Sequence, residues 1–409
     1  MKILFVCQHY KPEPFRLSDI CEDLVQRGHE VAVLTGIPNY PEGEIYADYR
    51  NKKKMRETIE GVAVFRSYTI PRRKSTLYRV LNYFSFAISS SIGVLLGKYK
   101  AKDGTEFDCV FVNQSSPVMM AWAGMVYKNK YKKPLFLYCM DVWPDSLTVG
   151  GVKQDGLIFK LFKFISKKVY RASDYIFVTS PSFKNYFVQQ FDILEQKITY
   201  LPQYAEDLFI PDESRVNKES VDLTFAGNIG KAQNLETILK AASLIEKNTN
   251  LPKKIHFHFV GDGTELLSMK ALAHELELKN VSFYGRRSLE EMPIFYKKSD
   301  AMLVSLIGDS IVSRTIPGKV QSYMAAGKPI IGAISGDTKT IVEEAKCGFV
   351  SPEQDVEQLA KNIYKFSMLS IEEQKELGKQ ARCYYEKHFS KEQFMFELET
   401  YLERKSKKE

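Results

Sequence analysis

Short uninterrupted apolar runs recur along the chain, and between them apolar residues return every three or four positions. The first series reads KILFVCQ (2–8), EVAVLT (30–35), VAVFRSY (62–68), DCVFVN (108–113), LFLYC (135–139) and YIFVTS (175–180). A second reads VDLTFAG (221–227), IHFHFVG (255–261), VSFYG (281–285), AMLVSL (301–306) and PIIGAI (329–334). Runs of this length predict strands buried on both faces, and the helical-period segments between them predict parallel βαβ units. The polar, proline-containing YLPQYAEDLFIPDESRVNKES separates the two series, so a linker is expected near 203–220. The predicted fold is α/β, two doubly wound domains in tandem. Ligands in such sheets bind at the carboxyl ends of strands, which makes the cleft between the domains the expected active site.

Length and charge agree with this. At 409 residues the chain exceeds the size at which one core stops growing. Its 44% hydrophobic and 26% charged residues describe an ordinary soluble protein. A net charge of +8 favours anionic partners: phosphates, nucleotides or an anionic membrane face. Six cysteines without a C-x-x-C pair are expected as buried thiols in a reducing cytoplasm, not as metal ligands or disulfides. The His256-Phe-His258 alternation is read as structural, and no metal or other cofactor is expected. The N-terminal apolar run is a strand's length and turns polar too early for a signal peptide.

Two segments bear on membranes. Val80 to Gly97 is uncharged and flanked by Arg72, Arg73, Lys74 and Arg79 before it and by Lys98 and Lys100 after it. Its length approaches a spanning helix, but Asn82, Ser85, Ser89, Ser90 and Ser91 interrupt it, which favours a largely buried or membrane-facing helix. In GLIFKLFKFISKKVYRASD, Lys160, Lys163, Lys167 and Arg171 share one helical face, while Leu157, Ile158, Leu161, Phe162, Ile165 and Val169 occupy another. That is the pattern either of a basic interfacial helix or of a helix docked on its own sheet.

Candidate chemistry sits in two loops. RTIPGKVQSYMAAGKPII (314–331) begins a helix with Pro317, Gly318 and Lys319. Proline suits a first helical position, glycine lets a ligand approach the backbone, and free N–H groups at 318 to 320 with the helix dipole make an anion site that Lys319 strengthens. FAGNIGKAQNLET runs from a strand through Gly227, Asn228, Gly230 and Lys231 into another helix, again a phosphate-cradle arrangement. It is neither a Walker A loop nor G-x-G-x-x-G. Two anion loops in one domain suggest a diphosphate.

The ordered set of these loops with FVGDGTE (259–265), VSFYGRRSLEEMPIFYKKSDAMLVSL (281–306) and PGKVQSYMAAGKPIIG (317–332) resembles the C-terminal domain of retaining glycosyltransferases of family 4. ILFVCQHYKPEP, LVQRGHEVAVLTGIPNYPEG (24–43), MDVWPDSL (140–147) and SDYIFVTSPSFKNYF (173–187) resemble the N-terminal half of the subgroup that builds bacterial capsular, O-antigen or exopolysaccharide. The resemblance implies the GT-B fold with two Rossmann-like domains. On this reading residues 1–204 bind the acceptor, 205–387 bind the nucleotide-sugar, and a C-terminal helix of about 388–409 packs back on the first domain. It implies transfer of a hexosyl or N-acetylhexosaminyl group, without a metal, from a nucleotide-sugar (UDP dominates this subgroup) to a lipid-linked saccharide. The expected location is the inner face of the cell membrane, with an anionic membrane surface and no nucleic acid among the partners.

Departures from the family are equally specific. Its usual pair of glutamates falls on Arg314 and Ser322, so ribose contact is weaker or passes to Gln321, Ser322 or elsewhere. The Arg and Lys that usually neutralise the diphosphate align with Asn228 and Gln233, leaving Lys231 and Lys319 as the candidate catalytic cations, with Arg286 nearby. Gly227, Asn228, Gly230, Gln233, Gly261, Arg286, Arg314, Pro317, Gly318, Val320 and Ser322 form the expected donor site. An acceptor-side histidine is absent, with Met140 standing before Asp141. PEPFR replaces a Gly-Gly turn and directs Arg16 toward the cleft.

Breaking a sugar–phosphate bond builds charge on the leaving diphosphate, which preorganised N–H groups and cations stabilise. Asp141, just past a strand end, is the candidate donor-sugar or acceptor-hydroxyl contact, or else a helix cap, a role that Asp145 fits better. His9, Glu13, Arg16 and Trp143 are the candidate acceptor residues, Trp143 either stacking on a sugar or packing. Two other functions stay open: a sugar-nucleotide epimerase, which calls for catalytic carboxylates and histidines, and a catalytically weakened partner subunit, motivated by the lost glutamates.

Overall fold

In the computed structural model the chain forms two compact units, Met1–Leu201 together with Met395–Glu409, and Pro202–Phe394. Residues 1–73, 75–212, 219–248, 251, 253–308 and 315–406 are described; Lys74 and Arg314 lie outside them.

The first unit holds β1 (Lys2–Val6), α1 (Leu17–Gln26), β2 (Glu30–Gly36), β3 (Arg56–Ile59), β4 (Val62–Ser67), α2 (Thr76–Leu95), β5 (Cys109–Gln114), α3 (Trp122–Tyr131), β6 (Leu135–Cys139), α4 (Ser146–Val149), α5 (Leu157–Ala172), β7 (Tyr175–Val178), α6 (Pro181–Phe191) and β8 (Ile198–Tyr200). Its sheet runs β3-β4-β2-β1-β5-β6-β7-β8, parallel except for the β3–β4 hairpin. Every residue of β6 is buried; Phe5 meets Phe111 and Phe136 meets Phe177 ring to ring across neighbouring strands, and Phe111 also stacks on Phe177 two strands away. That is why these segments read as continuous apolar runs.

The second unit holds β9 (Ser220–Ala226), α7 (Leu235–Glu246), β10 (Lys254–Val260), α8 (Leu266–Glu275), β11 (Val281–Gly285), α9 (Met292–Lys298), β12 (Ala301–Ser305), α10 (Gly318–Ala325), β13 (Ile330–Ala333), α11 (Gly336–Glu344), β14 (Gly348–Ser351), α12 (Val356–Ser367) and α13 (Ile371–His388). Its parallel sheet has the order β11-β10-β9-β12-β13-β14. Leu223, Phe225, Phe257 and Phe259 on one face meet Leu235, Ile238 and Leu239 of α7 and Ile363 of α12. A last helix, α14 (Lys391–Ser406), carries the chain back into the first unit from Met395. There Glu399 accepts hydrogen bonds from Arg27 (3.1 Å) and His29 (2.9 Å), and Tyr401 lies edge-on to Phe177.

All eleven expected strands form. The pattern did not show β3, β8 or β14, because β3 is an edge strand of alternating exposure, β8 has three residues and β14 closes the opposite edge of its sheet. Five cysteines are buried, but Cys383 is exposed on α13, a correction to the expectation of six buried thiols. His258 spends both ring nitrogens inside the sheet, on Asp222 (2.9 Å) and the Tyr284 hydroxyl (2.9 Å).

Both amphipathic helices differ in detail from their patterns. In α5, Phe159, Ser166, Val169 and Tyr170 face inward, while Leu157, Ile158, Leu161 and Phe164 are exposed. The basic row is partly occupied: Lys163 donates to Gln190, and Lys167 and Arg171 pair with Asp192. In α2 it is the polar residues that turn inward. Buried Asn82 accepts from Gln8 (2.6 Å) and donates to the Ile70 carbonyl (2.6 Å), Ser85 accepts from the Ile70 amide (2.9 Å), and Ser89 donates to the Tyr68 carbonyl (2.6 Å). Among the described residues no helix is long and apolar enough to cross a membrane.

Candidate active site

At the carboxyl end of β9 the chain leaves the sheet through Gly227, Asn228, Ile229 and Gly230, then makes a single 3-10 turn, Lys231–Gln233, before α7. This loop is fastened to the one after β10. Gly227 N–H donates to the Val260 carbonyl (2.9 Å), Ile229 N–H to that of Asp262 (2.8 Å), and Glu265 N–H to that of Ile229 (3.0 Å). The approach requires glycine: at Gly261, with φ +147°, a Cβ would stand 1.8 Å from the Gly227 carbonyl oxygen.

The mouth of α10 is held to the same strand end. The Tyr323 hydroxyl accepts from the Ala226 amide (2.9 Å) and donates to the Ala226 carbonyl (3.0 Å). Lys319, one turn earlier on the same helical face, is thereby laid over β9. Its ammonium sits 3.7 Å from the centroid of the Phe225 ring, donates to Gln233 Oε1 (2.8 Å), and lies 3.1 Å from where a Cβ on Gly227 would be. No carboxylate among the described residues pairs with it, and burial pushes its pKa down to about 7. The ammonium thus has a neutral amide and an aromatic face as its neighbours.

The helix start differs by one residue from the expectation. Pro317 is the N-cap and Gly318 the first helical residue, and Val320 N–H already bonds the Pro317 carbonyl (2.8 Å). That leaves, among the described residues, the N–H groups of Gly318 and Lys319 at the mouth, not three. Buried Gln321 turns its amide back toward the Pro317 and Gly318 carbonyls, and Ser322 donates to Gly318 O (3.2 Å) and toward Glu206 (3.5 Å). Glu206, which the motifs did not single out, brings an acid beside Ser322. Lys231 is exposed and borders a separate hollow of about 400 Å³ with Gly230, Asn234, Glu236 and Glu265. Asn228, after β9, and Arg286, after β11, are exposed. The structure thus brings together Lys319, Gln233, Gly227 and Gly261, while Arg314 lies outside the described residues.

In the first unit Asp141 follows β6 in a dense polar knot. Its Oδ1 accepts from Ser146, its Oδ2 from Ser116 and from the Trp143 indole (3.2 Å), and its backbone carbonyl from Gln114 (2.8 Å). Burial pushes this carboxyl up from the usual range, and the three side-chain donors oppose that. Asp145 occupies the N-cap position of α4, but its side chain makes no cap bond and instead accepts from Tyr186. Trp143 is 3% exposed and edge-on to Phe162, so it packs. Because Asp141→Ala leaves the Ser116 hydroxyl without its carboxylate acceptor, and takes one of two acceptors from the Ser146 hydroxyl and the Trp143 indole, whose others are the Val142 carbonyl and Ser116 Oγ (2.8 Å each), it is expected to lower stability by about 1 to 2 kcal/mol, and Asp141→Asn by less. Urea denaturation checks this; equal stability of the alanine variant would refute it.

His9 and Glu13 follow β1. His9 Nδ1 lies 3.0 Å from Glu13 Oε2, and its ring stacks on Phe15 at 5.0 Å. Glu13 is 2% exposed, and its Oε1 accepts from the Asn39 and Tyr40 amides (2.8 and 2.7 Å), so it orders the loop after β2. Arg16 stands at the start of α1, close enough to buried Tyr138 to favour its ionised form, which burial strongly opposes. Ser116 was missed in the sequence, though it follows a strand end, while Ser146 lies inside the MDVWPDSL motif.

Two family models match in tandem: Glycosyltransferase Family 4 over residues 16–203 and Glycosyl transferases group 1 over 207–383. The protein named "Putative colanic acid biosynthesis glycosyl transferase WcaI" of Escherichia coli (strain K12) is 25% identical over 354 residues, 80% of this chain and 82% of its own. Among solved structures, Anabaena HepE in complex with UDP and glucose superimposes with TM-score 0.69 at 16% identity, covering 99% of this chain and all of HepE. Sucrose-phosphate synthase from Thermosynechococcus elongatus gives TM-score 0.72 at 16% identity, covering 99% and 98%. With both sheets, their order along the chain and both family models in agreement, the chain belongs to the group 1, family 4 glycosyltransferases of GT-B fold.

Proposed function

We propose that the protein transfers a hexosyl or N-acetylhexosaminyl group, with retention and without a metal, from a UDP-sugar to a lipid-linked saccharide during surface polysaccharide synthesis. It would act at the inner face of the cell membrane. The observation that carries this reading is Lys319, a half-buried cation lacking an acid partner among the described residues, set over Gly227 beside the mouth of α10. A diphosphate there would take the ammonium and the Gly318 and Lys319 N–H groups as partners, and departure of the sugar would place new charge where they already point. The distant relative assigned to colanic acid synthesis supports the polysaccharide role, and the UDP-bound neighbour supports the donor. Asp141 and the His9–Glu13 pair would shape the acceptor side.

Donor hydrolysis by the purified chain tests the reading. Cleavage of a UDP-sugar that persists in EDTA is expected. No cleavage of any nucleotide-sugar would favour the partner-subunit role, and activity lost in EDTA and restored by Mg²⁺ or Mn²⁺ would overturn metal independence.

A further inference from the structure

Among the described residues three histidines bond carboxylates, and they differ in what the other ring nitrogen does. In His258 both nitrogens are held inside the second unit's sheet, and in His29 the far nitrogen is buried with no partner. His9 is the exception. Its Nδ1 lies 3.0 Å from Glu13 Oε2, while Nε2 has no partner among the described residues and is not sealed from solvent, the side chain being 7% exposed.

The ring is held in that setting from three sides. Phe15 stacks on it at 5.0 Å, Tyr40 closes to 5.5 Å, and Glu13 is itself fixed, with its Oε1 taking the Asn39 and Tyr40 amides. Asn39 in turn accepts from the Arg72 amide (2.9 Å) and donates to the Ile37 carbonyl (2.8 Å). An ionised carboxylate only accepts, so Nδ1 is the donor, and the neutral ring keeps its lone pair on Nε2. That is the tautomer of a proton acceptor, oriented by a second group.

The pair stands at the carboxyl end of β1. In the order β2-β1-β5 the sheet extends in opposite directions from β1, so β1 and β5 flank the topological switch point, where open α/β sheets take their ligands. A nitrogen lone pair opening there suits a hydroxyl, the group through which a saccharide acceptor attacks.

We propose that His9 is the proton acceptor for the attacking hydroxyl and Glu13 the positioning residue that fixes its tautomer. As the acceptor oxygen bonds to the anomeric carbon, the bond from that carbon to the diphosphate breaks, the diphosphate keeps the electron pair, and the hydroxyl proton passes to Nε2. The inference rests on the transferase reading above and gives the His9–Glu13 pair a chemical role within it.

Glu13→Gln tests it with little change of shape. The Asn39 and Tyr40 amides hold the remaining carbonyl oxygen, so the new amide nitrogen faces Nδ1 and drives the ring proton to Nε2. Nitrogen-15 NMR of the histidine-labelled full chain at pH 9, where imidazole is neutral, is expected to find His9 protonated on Nδ1 in wild type and on Nε2 in Glu13→Gln. With water in the acceptor's place, kcat for UDP-glucose cleavage is expected to fall about a hundredfold or more in Glu13→Gln and in His9→Gly, at unchanged Kd for UDP. Added imidazole is expected to restore part of the loss in His9→Gly and none in Glu13→Gln. Protonation of wild-type His9 on Nε2, wild-type kcat in either variant, or a loss in His9→Gly that imidazole leaves untouched would each overturn the proposal. A wild type that cleaves no nucleotide-sugar sinks the transferase reading, whereas an active wild type with the wrong tautomer sinks the role of the pair alone.

Discussion

Lys319→Ala is expected to raise the barrier to transfer by about 2 to 4 kcal/mol, a loss of roughly 30- to 1000-fold in turnover at saturating donor. The size follows from the setting. An exposed lysine near a phosphate is screened by water, whereas this ammonium is shut between Phe225 and Gln233, where the same charge acts through a lower dielectric. Removing it should not unfold the protein, because a partly desolvated cation without an acid partner among the described residues adds no stability of its own. Unchanged melting with collapsed turnover is therefore the expected pair of results. Wild-type turnover in the alanine variant would remove Lys319 from the mechanism. Lys231→Ala is expected to lose less, since that side chain is exposed and borders a different hollow.

Affinity for UDP is expected to fall as pH rises from about 7 to 9, by up to about tenfold per unit. In the empty site Lys319 titrates at about 7, lowered by burial, so above that pH it is mostly neutral. A bound diphosphate favours the charged form and raises its pKa, so binding takes up a proton throughout the window between the two values. Below pH 7 the lysine is already charged and contributes no slope. The same reasoning sets the sign for the empty protein: its unfolded chain binds the proton up to about pH 10.4, so this lysine makes stability rise with pH between about 7 and 10. Calorimetry in buffers of different ionisation enthalpy should show close to one proton taken up at pH 8.5 by wild type and none by Lys319→Met. Equal uptake by both proteins would assign the proton to another group.

Much of the fold was legible because parallel strands buried on both faces leave an unmistakable apolar signature, as in β6 or β9. The same logic hid β3, whose exposed alternate residues are polar. The pattern also located the α2 segment but gave its orientation no weight. Asn82 and the serines look like interruptions of an apolar surface until the Ile70 and Tyr68 backbone groups that they satisfy are known, and those partners come from a neighbouring segment. The two anion loops were visible as glycine and lysine, yet that Lys319 would rest on Phe225 and bond Gln233 was not. The link depends on Tyr323 clamping α10 to Ala226, a contact between residues far apart in sequence. For Asp141 and Asp145, local spacing suggested a cap at the second and a free carboxylate at the first. The folded turn sends Ser146 to Asp141 and Tyr186 to Asp145 instead.

The return of α14 to the first unit has a consequence for how the protein is made. Leu201 closes the first unit's contiguous stretch, but the residues that bond Arg27 and His29 and cover Phe177 begin only at Met395. At about 5 to 20 residues per second a ribosome needs roughly 10 to 40 s to travel between them. For that interval the nascent chain carries a finished sheet with one flank uncovered, and a chaperone that shields Phe177 until α14 emerges would be standing in for that helix.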